Sequence, residues 1–152
     1  MSDNMTCVVD ASVMIKLFLQ EELSEAVQRI VDEIVLNAAG PAPLLVPDLF
    51  YVECGNILRS KVRFNAYPPQ TAIQVMHYLR ELVLPTTPTA DLVEEALAIA
   101  FVYDLTAYDA VYVALAAQHN IPLLTADAKL VQQLQGSPHE IIGIEEYLAA
   151  VS

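Results

Sequence analysis

The chain has 152 residues, with 7 Lys and Arg against 19 Asp and Glu, a formal charge of −12 and 55% apolar residues. High apolar content with only 17% charged residues excludes a disordered chain, and 4 Gly and 2 Cys exclude collagen-like and disulfide-scaffold classes. The acidity argues against a general nucleic-acid coat, which shows as a basic surface, and the longest apolar runs, 96–103 and 110–117, fall far short of the roughly 20 residues of a membrane span.

In chain order, Thr6-Cys7-Val8-Val9-Asp10 predicts a first strand buried on both faces, and 11–19 a short helix. An apolar stripe of Leu23, Ala26, Val27, Ile30, Val31 and Ile34 predicts an amphipathic helix over 23–37, ended by Gly40-Pro41-Ala42-Pro43. Leu44-Leu45-Val46 reads as a second strand, and Pro47-Asp48 opens a helix to about Arg63. Pro68-Pro69 opens another, with Ala72, Ile73, Met76, Leu79 and Val83 expected inward and a strand expected at Leu82-Val83-Leu84. Thr89 and Thr106 are expected to cap helices reaching Tyr103 and His119. A strand at 122–125, a helix at 126–135, a strand at 139–142 and a helix at 145–151 complete the pattern.

Strands alternating with helices predict one α/β domain over 1–152, a small parallel sheet with helices on both faces. Cys7 and Cys54 are expected as reduced, buried thiols. Met1-Ser2-Asp3-Asn4 carries acid where a signal peptide needs base, so a soluble, cytoplasmic protein is expected.

In such sheets ligands bind beyond the carboxyl ends of the strands. Asp10 closes the first strand, Asp127 follows the strand ending at Thr125, and Asp109 lies in the first turn of its helix. Glu53 is embedded in the apolar run Leu49-Phe50-Tyr51-Val52-Glu53-Cys54, a costly place for an unpartnered charge. Each has a structural alternative. Asp109 fits a capping box with Thr106, Asp127 and Asp10 can begin the helices after them, and Glu53 can be solvated. Together, four acids at one predicted edge are hard to explain as separate caps. Two carboxylates about 5 Å apart repel by roughly 3 kcal/mol at an effective dielectric near 20, so such a cluster takes up protons or binds a divalent cation. An all-oxygen set favours Mg²⁺ or Mn²⁺ over Zn²⁺.

Four blocks carry a family resemblance: Val8-Val9-Asp10-Ala11-Ser12; 47–58, PDLFYVECGNIL; 105–116, LTAYDAVYVALA; and Leu123-Leu124-Thr125-Ala126-Asp127. The chain resembles the PIN-domain family, most closely its VapC-type toxin branch. The resemblance implies a PIN-like fold and a Mg²⁺- or Mn²⁺-dependent ribonuclease, the toxin of a toxin–antitoxin pair. It maps the catalytic, metal-holding acids onto Asp10, Glu53, Asp109 and Asp127, a catalytic hydroxyl onto Thr106, and substrate-side polar positions onto Ser12 and Asn56. Lys16 could touch a phosphate or pair with an acid. The departure is charge: Arg59, Lys61 and Arg63 are the only basic cluster, and they read as a solvated helix end.

Alternatives are a PIN-fold interaction module binding a basic partner peptide without turnover, and an RNA-processing nuclease that is not a toxin. A phosphotransfer domain also uses a strand-end Asp, but Asp10-Ala11-Ser12 lacks the second acid expected of the dehalogenase type. An RNA substrate, a basic antitoxin and a homodimer are expected. Mean hydropathy of +0.43 argues for apolar surface that needs cover.

Overall fold

A computed structural model of the chain describes residues 6–19, 25 and 44–151. The predicted helix over 23–37 and its terminating turn lie outside the described residues, except Glu25, which is helical.

The centre of the sheet is β1, Cys7–Val9, whose three residues are wholly buried. No polar side chain interrupts it, as a strand covered on both faces requires. On one side lie β2, Leu44–Pro47, and the short β3, Thr86–Thr87; on the other lie β4, Leu123–Thr125, and β5, Ile141–Gly143. The order is β3-β2-β1-β4-β5, and every neighbouring pair is parallel. Cys7 is opposite Leu44, and Val8 is opposite Leu45 on one side and Leu123 on the other.

Helices cover the sheet. They are α1 (Ala11–Leu19), α2 (Leu49–Asn65), α3 (Pro69–Glu81), α4 (Val93–Tyr103), α5 (Ala107–His119), α6 (Ala128–Gln133) and α7 (Ile144–Val151). In α5, Ala110 to Ala116 are consecutively buried, because the helix packs on β1, β2 and β4 while α4 covers it from outside. A helix apolar all round belongs inside. Among the described residues no single helix is long and apolar enough to cross a membrane; α4 and α5 together have the composition, but the chain bends by 112° between them.

The thiols of Cys7 and Cys54 are free and buried, and burial pushes Cys7 up to about 12. Thr106 caps α5 as its sequence predicts, its Oγ1 accepting from the Asp109 N–H at 3.1 Å. Other expectations are corrected. Leu82-Val83-Leu84 forms no strand: Leu82 ends α3, Val83 takes φ 49° in the left-handed region, and the strand begins at Thr86. Ile73 and Val83 point outward, and Val75 takes the buried place beside Ala72 and Leu79. Thr89 does not cap a long helix. A single 3-10 turn, Thr89–Asp91, precedes α4, and Asp48 Oδ1 accepts from both the Thr89 N–H (2.9 Å) and the Thr89 hydroxyl. Asp48 thereby ties the end of β2 to a segment 41 residues away.

Candidate functional site

The strand order reverses between β1 and β4. At such a switch point the connections leave in opposite directions and open a crevice beyond the strand ends. Asp10 follows β1 directly, with its N–H donating to the Leu124 carbonyl at 3.0 Å. Its carboxylate is held from two sides: the Thr125 hydroxyl donates to Oδ2 at 2.7 Å, and the Ser12 N–H reaches Oδ1 at 3.4 Å. Thr125 is fully buried, and its Oγ1 also accepts from the Asp127 N–H at 3.0 Å. One hydroxyl thus fixes an acid after β1 to the backbone of an acid after β4. The Ser12 Oγ accepts from the Ala126 N–H at 3.1 Å and adds a second tie.

Asp127 also caps α6, with Oδ1 accepting from the N–H groups of Lys129 (3.0 Å) and Leu130 (3.3 Å). Asp109 stands in the first turn of α5, where the helix dipole favours an anion. Glu53 lies near the start of α2, half-buried between exposed Val52 and buried Cys54. The capping alternative is therefore realised at Asp127, and at Asp109 it is Thr106 that does the capping. Neither role removes the carboxylate from the crevice. A cleft of about 210 Å³ is lined by Asp10, Ala11, Ser12, Glu53, Asn56, Ile57, Asp109 and Asp127.

The electrostatics of this cleft are those of crowded anions. Burial raises the Asp10 carboxyl above its ordinary range, against hydrogen bonds from Thr125 and Ser12, and the charge of Asp127 raises it further. Glu53 is raised chiefly by burial, then by the charges of Asp10 and Asp109, while the Tyr112 hydroxyl acts the other way. Asp109 is raised by burial, then by Asp10 and Asp127, against Thr106 and Lys129. Beneath the acids, burial pushes the Cys54 thiol and the Tyr112 phenol up, so both remain protonated. No Lys, Arg or His is among the lining residues.

The lining donors are carboxylate, hydroxyl and amide oxygens, the set that suits a hard divalent cation. Among the described residues no three acidic, imidazole or thiol side chains stand together as a finished coordination shell. The four acids share the walls of the cleft as like charges that repel one another. The hydroxyl of buried Tyr112, close to Glu53, lacks a hydrogen-bond partner among the described residues. Donor type and this orphaned atom together fit a cation held between the acids.

Ser12 and Asn56 line the cleft, whereas Thr106 and Lys16 do not. Arg59 and Arg63 are exposed further along α2, also outside it. Sequence reasoning missed Thr125 and Tyr112. The hydroxyl of Thr125 at the end of an apolar strand was a usable signal; Tyr112 had only its place one turn beyond Asp109. A larger hollow of about 280 Å³, with Ala116, Asn120, His139 and Glu140 among its lining residues, opens at the opposite ends of β4 and β5. It carries a single carboxylate, so the acidic chemistry belongs to the smaller cleft.

A family model described as PIN domain matches residues 7–133. The chain is 32% identical over 131 residues to Ribonuclease VapC3 of Pyrobaculum aerophilum, covering 85% of this chain and 95% of that protein. It is also 32% identical over 139 residues to Ribonuclease VapC1 of Mycobacterium tuberculosis, covering 89% and 95%. A toxin–antitoxin complex from Klebsiella pneumoniae contains a chain of the same fold, with a TM-score of 0.62 at 15% identity over 91% of this chain and 98% of that one.

Proposed function

The chain belongs to the PIN-domain family, and from that premise we propose that it is a metal-dependent ribonuclease acting in the cytoplasm as the toxin of a toxin–antitoxin pair. The observation that carries this reading is the convergence of Asp10, Glu53, Asp109 and Asp127, from four separate segments, on one cleft at the switch point of the sheet. These four would hold Mg²⁺ or Mn²⁺. When bound, such an ion lowers the pKa of water and stabilises negative charge on a phosphodiester. The protein's own part is positioning. Thr125 and Ser12 fix Asp10, the α6 amides hold one oxygen of Asp127, and Thr106 shapes the turn that presents Asp109. Asn56 and the Ser12 hydroxyl are the neutral polar groups on the wall and would meet phosphate oxygens.

The test is cleavage of RNA by the purified chain in Mg²⁺, Mn²⁺ or EDTA, beside Asp10→Asn. Cleavage that needs a divalent cation and is lost in the variant is expected. A second reading, a non-catalytic module for a basic peptide, is favoured by the absence of cationic side chains from the cleft. Binding of such a peptide with no turnover in either metal would establish it instead.

Two partners follow. An inhibitory antitoxin would place Arg or Lys among the carboxylates, since desolvated charge pairs give specificity and fast association. A second copy would meet the outer face of α4, where Leu97, Phe101 and Val102 are exposed. Residues 96–103 carry no charge, so two molecules of −12 would meet least repulsion along this face.

A further inference from the structure

Tyr112 is a buried polar residue that packing alone does not explain. It lies one turn after Asp109, so both side chains leave the same face of α5. It is 1% exposed and among the largest wholly buried side chains of the core. A phenylalanine would fill the same space. The hydroxyl adds only a polar atom, and that atom has no hydrogen-bond partner among the described residues. An unsatisfied buried donor destabilises a fold. The carboxylates whose charge acts on it are those of Glu53 and, after it, Asp10, and of the two only Glu53 also interacts with the hydroxyl side chain to side chain. Glu53 is close enough for the two side chains to influence each other, yet the pair falls short of full hydrogen-bond geometry.

We propose that Tyr112 is a positioning residue for the acidic cleft, its Oη–H set to donate to the Glu53 carboxylate when Glu53 turns toward a bound divalent cation. This assignment rests on the metal-dependent reading of the cleft. A carboxylate has about four lone-pair sites. One oxygen of Glu53 can face the cation while the other accepts from Tyr112, the arrangement in which an outer hydrogen bond orients a metal ligand. The hydroxyl stays unpaired until Glu53 moves, so cation binding and formation of this bond are one event.

The experiment measures Mn²⁺ binding to the full chain by electron paramagnetic resonance of the free ion, for the native protein, Tyr112→Phe, Glu53→Ala and the double variant. Tyr112→Phe and Glu53→Ala should each weaken binding by about tenfold or more. The double variant should bind no more weakly than Glu53→Ala alone, because Tyr112 acts through Glu53. In EDTA, Tyr112→Phe should melt no lower than native, since it removes an unpaired polar atom. Tyr112→Phe that binds Mn²⁺ like native, while Glu53→Ala binds weakly, overturns the assignment and leaves the cleft reading standing. Losses that add in the double variant, or a clear drop in the melting temperature of Tyr112→Phe in EDTA, also overturn it. If Glu53→Ala binds Mn²⁺ as native does, the cleft reading falls and the assignment with it.

Discussion

Asp109 serves the helix and the cleft at once. Its N–H completes the Thr106 cap, and its carboxylate joins a crowd of like charges. Asp109→Asn keeps the backbone bond and removes one charge, so the protein in EDTA should become more stable. Mg²⁺ should stabilise the native chain by up to about 2.7 kcal/mol at a hundred times its dissociation constant, and the variant should lose most of that gain. Melting curves of both proteins in EDTA and in Mg²⁺ check this; a variant that melts lower in EDTA yet responds normally to Mg²⁺ sinks the metal role of Asp109. At this scale the sequence was readable wherever an acid ended a strand or opened a helix, as at Asp10, Asp109 and Asp127. It was not readable at Thr125 and Tyr112. Both look like core residues, and only the fold decides which atom of a core residue faces the acids.

Between elements, the misread stretch is Leu82-Val83-Leu84. Three apolar residues before a proline match a buried strand, but the local choice went to closing α3. The Val83 N–H donates to the Arg80 carbonyl at 3.3 Å, and Val83 sits in the left-handed region with 80% of its surface exposed. A β-branched residue there is strained, by roughly 1–2 kcal/mol per left-handed L-residue. Val83→Gly relieves that strain against an entropic cost of about 0.5–1 kcal/mol. A net gain of about 0.5–1 kcal/mol is expected, read as a higher urea midpoint; a lower midpoint would show that the Val83 side chain makes a needed contact. The sheet order, in contrast, was only partly legible. Alternating patterns announced parallel strands, but nothing in them says that β1 lies between β2 and β4, which is what brings Asp10 to Asp127.

For the whole molecule, protons and copies are the two levers. Asp10, Glu53 and Asp109 bind protons more tightly folded than unfolded. Their contribution is full below the ordinary carboxylate range and is lost as pH climbs through their raised folded values. In EDTA the melting temperature should therefore rise as the pH is lowered from about 7.5 toward about 5.5, above the ordinary carboxylate range. The charge of −12 works in the same direction, and Asp109→Asn removes only the share that Asp109 itself contributes, leaving those of Asp10 and Glu53. Asp48 runs oppositely. Thr89 holds it below the usual carboxylate range, so its contribution is lost only as pH falls through that lowered value. A melting temperature in EDTA that falls steadily on acidification from neutrality would contradict the crowded-anion description. The second lever is α4. Phe101→Glu puts charge on a face where 78% of the phenylalanine is exposed, and light scattering at micromolar concentration should change from dimer to monomer. A native chain that is already monomeric removes the dimer.

The turn after α2 divides the acids evenly. Ala66, exposed and left-handed at φ 56°, separates Asp10 and Glu53 from Asp109 and Asp127. Yet β1, from the first part, pairs with β4 from the second. A chain severed there would hold two of the four acids in each fragment, beside two strands in the first and three in the second. On the proposed metal-dependent reading neither fragment would hold the cation alone, and recovered Mn²⁺ binding would become a reporter of their reunion. The same interleaving means that the first 100 residues carry only Asp10 and Glu53 of the four, with the β4 edge of β1 uncovered: the cleft is assembled only when Asp109 and Asp127 join them.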